Sequence, residues 1–352
     1  MKTTLSHLPG RTTVINETEY LFFSGYSYLG LGAVPAFTQY VKEGIDRYGI
    51  VYPSSRISNT PLDLYQSFET ALARFTHTEA AAVFSSGFLS ARTAVETAAQ
   101  YMPVYCREHT HPASSAVAGV KQIHASQSWE SFLEERSQAR EFQFAWAADS
   151  VNPTFGRIHD FRFLQNLPSE FSILLVVDDS HGIGWLGEDG RGISSLMQLP
   201  GNVSLLLNFS LSKAFHLNGG AICGSSNWID RVKHHVNFTT STPVMPALVY
   251  AWLQAGELIQ QQRHQLLQNI ARLQKLTTND TFVENEGTPV FFVDLPGIAP
   301  YLLQNRVIIS SFSYPHPENS PENRIIVNAL HHASDLEQLA DLMKLFYKQT
   351  NT

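Results

Sequence analysis

The chain is most informative in the segment Ile173-Leu-Leu-Val-Val-Asp-Asp-Ser-His-Gly182. Its first five residues are apolar at every position, which predicts a strand buried on both faces of a sheet. Two aspartates and a histidine follow where this strand ends, and open α/β sheets place their sites at that edge. The segment therefore predicts a central strand that ends in a site, although an aspartate pair capping a turn gives the same pattern.

Other short apolar runs alternate with helical patterns on both sides of this strand. They occupy residues 80–84, 102–105, 142–147, 204–209 and 220–223. Strands that alternate with helices predict an α/β fold with a largely parallel sheet covered on both faces.

The last third of the chain has a different pattern. Residues 246–276 contain few helix breakers, which predicts one long helix, or two in succession, between two domains. Predicted strands at 289–295, 307–313 and 324–330, with helices at 298–304 and 335–347, indicate a small α+β domain. The proline-rich stretch 314–321 predicts a loop. We therefore predict an N-terminal segment 1–45, a large domain 46–250, and a linker helix with a small domain 251–352.

Composition limits the classes of partner. The chain has 352 residues and a formal net charge of −7, without a basic run that could follow a phosphate backbone, so nucleic acid is not expected. No apolar stretch has the length of a membrane span or the form of a signal peptide. Two cysteines, Cys106 and Cys223, are too few for a disulfide framework and are interpreted as core residues. These features predict a cytoplasmic protein.

A lysine follows the next predicted strand, in Asn208-Phe-Ser-Leu-Ser-Lys-Ala-Phe-His-Leu-Asn-Gly-Gly220. A crowded amine loses its proton more easily than a solvated one, so Lys213 can attack an aldehyde and form an imine. Ser210 and Ser212 are placed to bind a phosphate nearby. A lysine taken alone is more often a solvated surface residue.

A third element joins a strand to a helix at Phe84-Ser-Ser-Gly-Phe-Leu-Ser90. Main-chain N–H groups at a helix start, with the positive end of the helix dipole, bind phosphate. An ordinary serine-capped helix has the same sequence features.

Together these elements resemble the α-oxoamine synthase family, the pyridoxal-phosphate (PLP) acyltransferases that include 8-amino-7-oxononanoate synthase. Tyr28-Leu-Gly-Leu31 is similar to the end of the family's NYLGL, and Phe84-Ser-Ser-Gly-Phe88 to its FSSGY. Asp178-Asp-Ser-His181 resembles DEAH, and Ser210-Leu-Ser-Lys213 resembles TxxK. The resemblance covers nearly the whole chain and identifies it as a divergent, shortened member.

The resemblance implies the aspartate aminotransferase-like fold (fold type I), with a seven-stranded, mainly parallel sheet and a small C-terminal α+β domain. It implies PLP as cofactor and no metal. Lys213 would form the Schiff base with PLP and act as general base, and Asp178 would bind the pyridine nitrogen. The resemblance assigns further cofactor contacts to Ser86, Gly87, Phe88, His111, His181 and Ser210. His111 would stack over the ring, with His109 as a weaker candidate.

The implied reaction condenses an amino acid with an acyl thioester and releases carbon dioxide. By resemblance, Arg324 would bind the carboxylate of the amino acid; otherwise it is an edge-strand arginine that faces water. A homodimer with a shared site is implied, in which Thr239 or Thr240 reaches the phosphate of the second subunit.

Two departures from the family pattern limit how far the substrate can be carried over from the family. Ile50-Val-Tyr-Pro53 replaces a glycine-rich loop, and Pro153 falls where the family has a serine near the cofactor, with Asn152 as a replacement. A PLP-dependent aminotransferase or lyase stays an alternative, because Lys213, Asp178 and His111 are equally compatible with proton transfer without acyl transfer. A silent scaffold subunit of the same fold is another alternative. A metal site at Asp178, Asp179 and His181 is a weaker one.

Overall fold

The computed structural model of the protein describes residues 4–152, 154–313, 318 and 321–350. Its strands are β1 (Thr12–Ile15), β2 (Thr18–Phe23), β3 (Ala80–Phe84), β4 (Val104–Arg107), β5 (Val120–Ile123), β6 (Gln143–Asp149), β7 (Val151–Asn152), β8 (Arg157–Ile158), β9 (Ser172–Asp178), β10 (Val203–Ser210), β11 (Gly220–Gly224), β12 (Val283–Glu284), β13 (Val290–Val293), β14 (Val307–Phe312) and β15 (Glu322–Ile326). Its α-helices are α1 (Pro35–Tyr48), α2 (Asp63–Thr76), α3 (Gly87–Ala99), α4 (Pro112–Ser115), α5 (Trp129–Gln138), α6 (Ser226–His234), α7 (Val236–Thr240), α8 (Pro246–Gln254), α9 (Gly256–Thr277), α10 (Ile298–Gln304) and α11 (Ala333–Thr350).

A seven-stranded sheet forms the centre of the molecule, in the order β3-β11-β10-β9-β6-β4-β5. Only β11 runs antiparallel to its neighbours within this sheet. The predicted mainly parallel, seven-stranded α/β fold is confirmed. Because β6, β9 and β10 are parallel neighbours, their carboxyl ends lie at one edge of the sheet.

Strand β9 explains why the sheet is covered on both faces. Ile173, Leu175 and Val177 are buried in one hydrophobic core. Leu174 and Val176 are buried in a second core on the opposite face. Successive side chains of a strand point to opposite faces, so a continuous apolar run satisfies both cores at once.

A second sheet has the order β1-β2-β14-β15-β13-β12. Its N-terminal hairpin, β1 and β2, joins strands from the C-terminal part of the chain, because β2 pairs in parallel with β14. Residues near position 20 therefore belong to the same sheet as residues near 310. The pairing was not predicted from the sequence, which predicted only a separate N-terminal segment.

Several predicted elements differ in detail from the structure. The helical stretch 246–276 forms two helices that break at Ala255, whose ψ of 13° departs from helical geometry. The strand predicted at 324–330 is β15, which begins and ends earlier. The edge strand β5 was missed because its middle residues, Lys121 and Gln122, are exposed and polar. Both cysteines are buried, and none of the helices among the described residues is long and apolar enough to cross a bilayer.

Candidate active site

Three strand ends meet at one pocket. Asp149 at the end of β6 pairs in register with Asp178 at the end of β9, which pairs with Asn208 near the end of β10. Lys213 follows β10 by three residues. The pocket has a volume of about 300 Å³, and its lining includes Ser86, Gly87, Phe88, His111, Ala113, Asp149, Val151, Asp178, Ser180, His181, Ser210, Ser212 and Lys213. The structure thus brings together all of the cofactor contacts predicted within one subunit, whereas Thr239 and Thr240 are not part of this lining.

Lys213 lies in a short hydrogen-bonded chain. Its Nζ is 2.8 Å from His181 Nε2, and His181 Nδ1 is 2.7 Å from the Tyr28 hydroxyl. Tyr28 is fully buried, and the ring of Tyr26 meets the His181 ring edge-on at 4.9 Å. The amine and the imidazole are therefore held in place from the side of the N-terminal segment.

Burial favours the neutral forms of Lys213 and His181. It lowers the pKa of Lys213 below its ordinary value, against the opposing effect of the carboxylates of Asp178 and Asp149. Burial, followed by the nearby charge of Lys213, lowers the pKa of His181 well below its usual range. The Tyr28 hydroxyl, the His181 imidazole and the Lys213 amine form one hydrogen-bonded chain, in which the donor directions depend on which ring nitrogen of His181 carries the proton.

Asp178 is held by the turn that follows its own strand. The Ser180 N–H donates to Asp178 Oδ1 at 2.9 Å, and the Ser210 N–H donates to Ser180 Oγ at 2.8 Å. Asp179 points away from this pocket, since its Oδ2 accepts the Ile193 N–H at 3.0 Å. The two adjacent aspartates therefore have different tasks.

The start of α3 forms the other end of the pocket. Ser86 caps the helix by accepting the Leu89 N–H at 3.1 Å. Gly87 lies so close to the end of β10 that a Cβ atom there would be 2.5 Å from Ser210 Cβ. Ser86, Gly87, Ser210 and Ser212 all line the pocket, so hydroxyl groups and the main-chain N–H groups of a helix start lie together there, as an anion requires. The phenyl ring of Phe88 is 55% exposed, so its main chain is the part suited to binding.

The structure separates the two candidate histidines. His111 lines the pocket and caps α4, with its Nδ1 accepting the Ala113 N–H at 3.2 Å. His109 lines a neighbouring cavity instead. Asn152 caps its own turn by accepting the Thr154 N–H at 2.9 Å and is not part of the pocket lining. Pro153 lies outside the described residues.

Arg324 is not a water-facing edge residue, so that alternative interpretation is wrong. Strand β15 lies between β13 and β14, and Arg324 is only 2% exposed. Its Nη1 donates to the Tyr26 hydroxyl at 3.0 Å, and its Nη2 is 3.0 Å from Glu322 Oε2. Because Lys213 Nζ lies 6.0 Å from the centre of the Tyr26 ring, a single side chain separates Arg324 from the pocket.

Several residues at the site, among them Asp149, Tyr26 and Tyr28, were not predicted as members of it. Asp149 lines the pocket, and Tyr26 and Tyr28 surround His181. Tyr28 belonged to a motif quoted from the sequence, but no role followed from the motif. The acidic end of strand β6 was the available signal for Asp149, since β6 was itself predicted.

The donor set fits PLP, the cofactor that the resemblance implies. The Asp178 carboxylate can hold a protonated ring nitrogen, and the Lys213 amine can react with an aldehyde. Both line the same pocket as the anion seat, the name used here for Ser86, Gly87, Ser210 and Ser212. The close approach of Gly87 to Ser210 brings the start of α3 against the end of β10, and main-chain N–H groups at a helix start bind phosphate. Among the described residues, no cluster of three His, Cys, Asp or Glu side chains could hold a metal ion.

Comparisons with known proteins agree with this architecture. The model of the family "Aminotransferase class I and II" matches residues 21–342. The 8-amino-7-oxononanoate synthase of Lysinibacillus sphaericus is 27% identical over 357 residues, covering 96% of this chain and 91% of that protein.

Two solved structures share the fold. A serine palmitoyltransferase from S. paucimobilis with a bound PLP–myriocin aldimine has a TM-score of 0.86 and 17% identity, covering 99% of this chain and 92% of that one. The 8-amino-7-oxononanoate synthase of Francisella tularensis has a TM-score of 0.74 and 22% identity, covering 95% of this chain and 99% of that one.

These matches confirm the resemblance that the sequence motifs indicate, over nearly the full length of the chain. The chain belongs to the aminotransferase class I and II family.

Proposed function

We propose that this protein is a PLP-dependent acyltransferase that condenses an amino acid with an acyl thioester and releases carbon dioxide. The observation that carries the proposal is the Lys213 amine, buried in one pocket with the Asp178 carboxylate and an anion seat. The relatives reported above are named 8-amino-7-oxononanoate synthase or serine palmitoyltransferase. These names support acyl transfer.

The proposed cofactor contacts follow the chemistry of the pocket. Ser86, Gly87, Phe88 and Ser210 would hold the phosphate, and Asp178 the protonated ring nitrogen. His181 would donate to the ring oxygen, and His111 would pack against the ring. When bound, PLP supplies an electron sink for the negative charge that develops at the α-carbon of the amino acid.

Lys213 is the proposed base for the α-proton. Its lowered pKa gives a larger neutral fraction near neutral pH than an ordinary lysine has, and a neutral amine is what accepts a proton. The contact with His181, at 2.8 Å, restricts where that amine points.

The overall reaction balances without an oxidant or a metal. The α-carbon of the amino acid forms a bond to the carbonyl carbon of the thioester, and the thiol leaves with the proton that Lys213 accepted. The carboxylate of the resulting β-keto acid leaves as carbon dioxide, and the electron pair left at the α-carbon takes up one proton from solvent. The product is an α-amino ketone.

A thiol-release assay tests this function. The PLP-loaded enzyme is incubated with each of the common amino acids and with acyl-CoA thioesters of graded chain length, and free thiol is measured with a chromogenic disulfide. We expect thiol release that requires both substrates. No release with any pair, together with keto-acid-dependent amino-group transfer, would instead assign the protein to the aminotransferases.

Arg324 is the proposed ligand for the carboxylate of the amino acid, and this role requires the Tyr26 side chain to move from between Arg324 and the pocket. A guanidinium binds a carboxylate through two parallel N–H groups, which lysine cannot reproduce. We expect Arg324→Lys to raise KM for the amino acid by roughly 10- to 100-fold, with a smaller change in kcat, because carboxylate binding is shared by the ground state and the transition state.

Steady-state kinetics of the PLP-loaded variant measure the changes in KM and kcat separately. Arg157→Lys is the matched control, since Arg157 is an exposed arginine that also pairs with glutamates. An unchanged KM in Arg324→Lys, with an intact fold by circular dichroism, would remove Arg324 from the substrate site.

We also propose a homodimer in which the pocket lies beside the subunit interface. Five apolar side chains, which we call the apolar rim, are each more than half exposed: Ile50, Val51, Ile57, Phe88 and Val236. Ser55 Oγ donates to the Thr239 carbonyl at 2.5 Å, so the loop that carries Ile50, Val51 and Ile57 contacts helix α7. Phe88 also lines the pocket, and an exposed apolar surface of this kind is typical of an interface.

Charge placed on the apolar rim should break the dimer. We expect Ile57→Glu to shift the protein toward a monomer and to weaken PLP binding, because a buried carboxylate without a partner opposes association. Light scattering after size exclusion measures the mass. Leu345→Glu, an exposed apolar residue on α11, is the control and should remain dimeric. A monomeric wild type would contradict the proposed dimer.

The domain limits and the cellular location are also proposals. The domain limits 1–45, 46–250 and 251–352 follow the pattern of the sequence, and limited proteolysis would test them. A cytoplasmic location is supported by two free, buried cysteines.

A further inference from the structure

Asp149 is a second carboxyl group of the pocket, beside Asp178. It is the last residue of β6, and the two aspartates are paired residues of neighbouring parallel strands. None of the proposed steps uses it, although it lines the pocket together with Lys213 and His111.

Its hydrogen bonds connect β6 to the segment that carries His111. Asp149 Oδ2 accepts the His111 main-chain N–H at 2.9 Å. The main-chain oxygen of Asp149 also accepts a hydrogen bond from His159. His111 also caps α4, because the Ala113 N–H in the first turn of that helix donates to His111 Nδ1. The Asp149 carboxyl group therefore fixes the main chain of His111, from which the imidazole ring extends.

The surroundings of Asp149 make its charge sensitive to pH. Its pKa is raised to about 7, chiefly by burial and then by the Asp178 carboxylate, while the His111 N–H bond and Lys213 act to lower it. The titratable groups that face Asp149 are Cys106 of β4, His111, Asp178 and Lys213, with His159 on its main-chain oxygen.

An ionised carboxylate accepts an N–H bond more strongly than a neutral carboxyl does. Deprotonation of Asp149, as pH rises through about 7, should therefore tighten the hold on His111.

We propose that Asp149 is a positioning residue that sets the orientation of His111 at the pocket wall through the hydrogen bond to its main-chain N–H. The inference rests on the PLP site proposed above, because His111 acts there on the bound cofactor. Asp149 itself needs no contact with substrate.

Two variants test it in the PLP-loaded enzyme. Asp149→Asn keeps an acceptor oxygen for the His111 N–H but cannot ionise, whereas Asp149→Ala removes the acceptor. The readouts are the visible absorption of bound PLP between pH 5.5 and 9, which needs no turnover, and the pH profile of kcat/KM. Asp160→Asn, the same chemical change at an exposed residue, is the control.

We expect wild type to show a transition near pH 7 in the cofactor spectrum, whereas Asp149→Asn should keep the low-pH spectrum throughout and lose less kcat/KM at pH 8 than Asp149→Ala. Asp149→Ala should have an altered spectrum and a kcat/KM lower by roughly 10- to 100-fold, the cost of a small misplacement in a site. A pH 7 transition that persists in Asp149→Asn, or an Asp149→Ala enzyme that matches wild type, would overturn the inference alone. A wild type without a cofactor band would overturn it together with the proposed function.

Discussion

Replacement of Lys213 by alanine is expected to reduce acyl transfer by at least about 1,000-fold and to abolish fixation of PLP by borohydride. The amine has two proposed tasks, as the site of cofactor attachment and as the base for the α-proton. General base catalysis alone contributes roughly 100- to 10,000-fold. No second lysine lines the pocket among the residues that the structure describes, so none could replace it.

Peptide mapping after borohydride reduction measures the attachment, and thiol release measures the reaction. Lys233→Ala is a suitable control because Lys233 Nζ also forms a close contact, at 2.8 Å to Glu69, but lies outside the pocket lining. We expect the control to retain fixation at Lys213. Fixation of PLP at another lysine in wild type would contradict the assignment of the site.

Asp178→Asn should lower kcat/KM by at least about 100-fold while leaving the protein folded. A carboxylate favours the protonated form of a ring nitrogen next to it, and an amide lacks that charge. The substitution is nearly isosteric, and its amide oxygen can still accept the Ser180 N–H that Asp178 Oδ1 accepts at 2.9 Å. The expected loss is therefore one of charge rather than of shape.

The neighbouring residue provides the control for this prediction. Asp179→Asn makes the same chemical change one position later, at a buried side chain that binds the Ile193 N–H away from the pocket. It should affect stability more than the cofactor spectrum. Kinetics and absorption spectra of both variants separate the two effects, and a near-normal rate in Asp178→Asn would show that ring protonation does not depend on Asp178.

The central sheet and the core of the site could be predicted from sequence for a definite physical reason. A strand buried on both faces has to be continuously apolar, and its carboxyl end has to be polar where it meets a ligand. Ile173–Val177 followed by Asp178 satisfies both conditions within a few residues. The order of such strands then places their ends along one edge.

The contributions of the N-terminal segment could not be predicted in this way. Tyr26 and Tyr28 reach His181 only because β2 joins the sheet of the small domain through its parallel pairing with β14. That pairing connects residues almost 290 positions apart and leaves no local pattern in the sequence. Burial of Arg324 depends on the same sheet, since β15 becomes an interior strand only when β14 covers it.

Carbon dioxide and thiol released in the same reaction test the central claim most directly. The PLP-loaded enzyme is given an acyl-CoA and an amino acid labelled at its carboxyl carbon, and both products are quantified over time. The proposed acyltransferase should release one labelled carbon dioxide for each free thiol, with both products absent in Lys213→Ala. Carbon dioxide without thiol, or a keto acid that retains the label, would show that the pocket catalyses decarboxylation or transamination instead of acyl transfer.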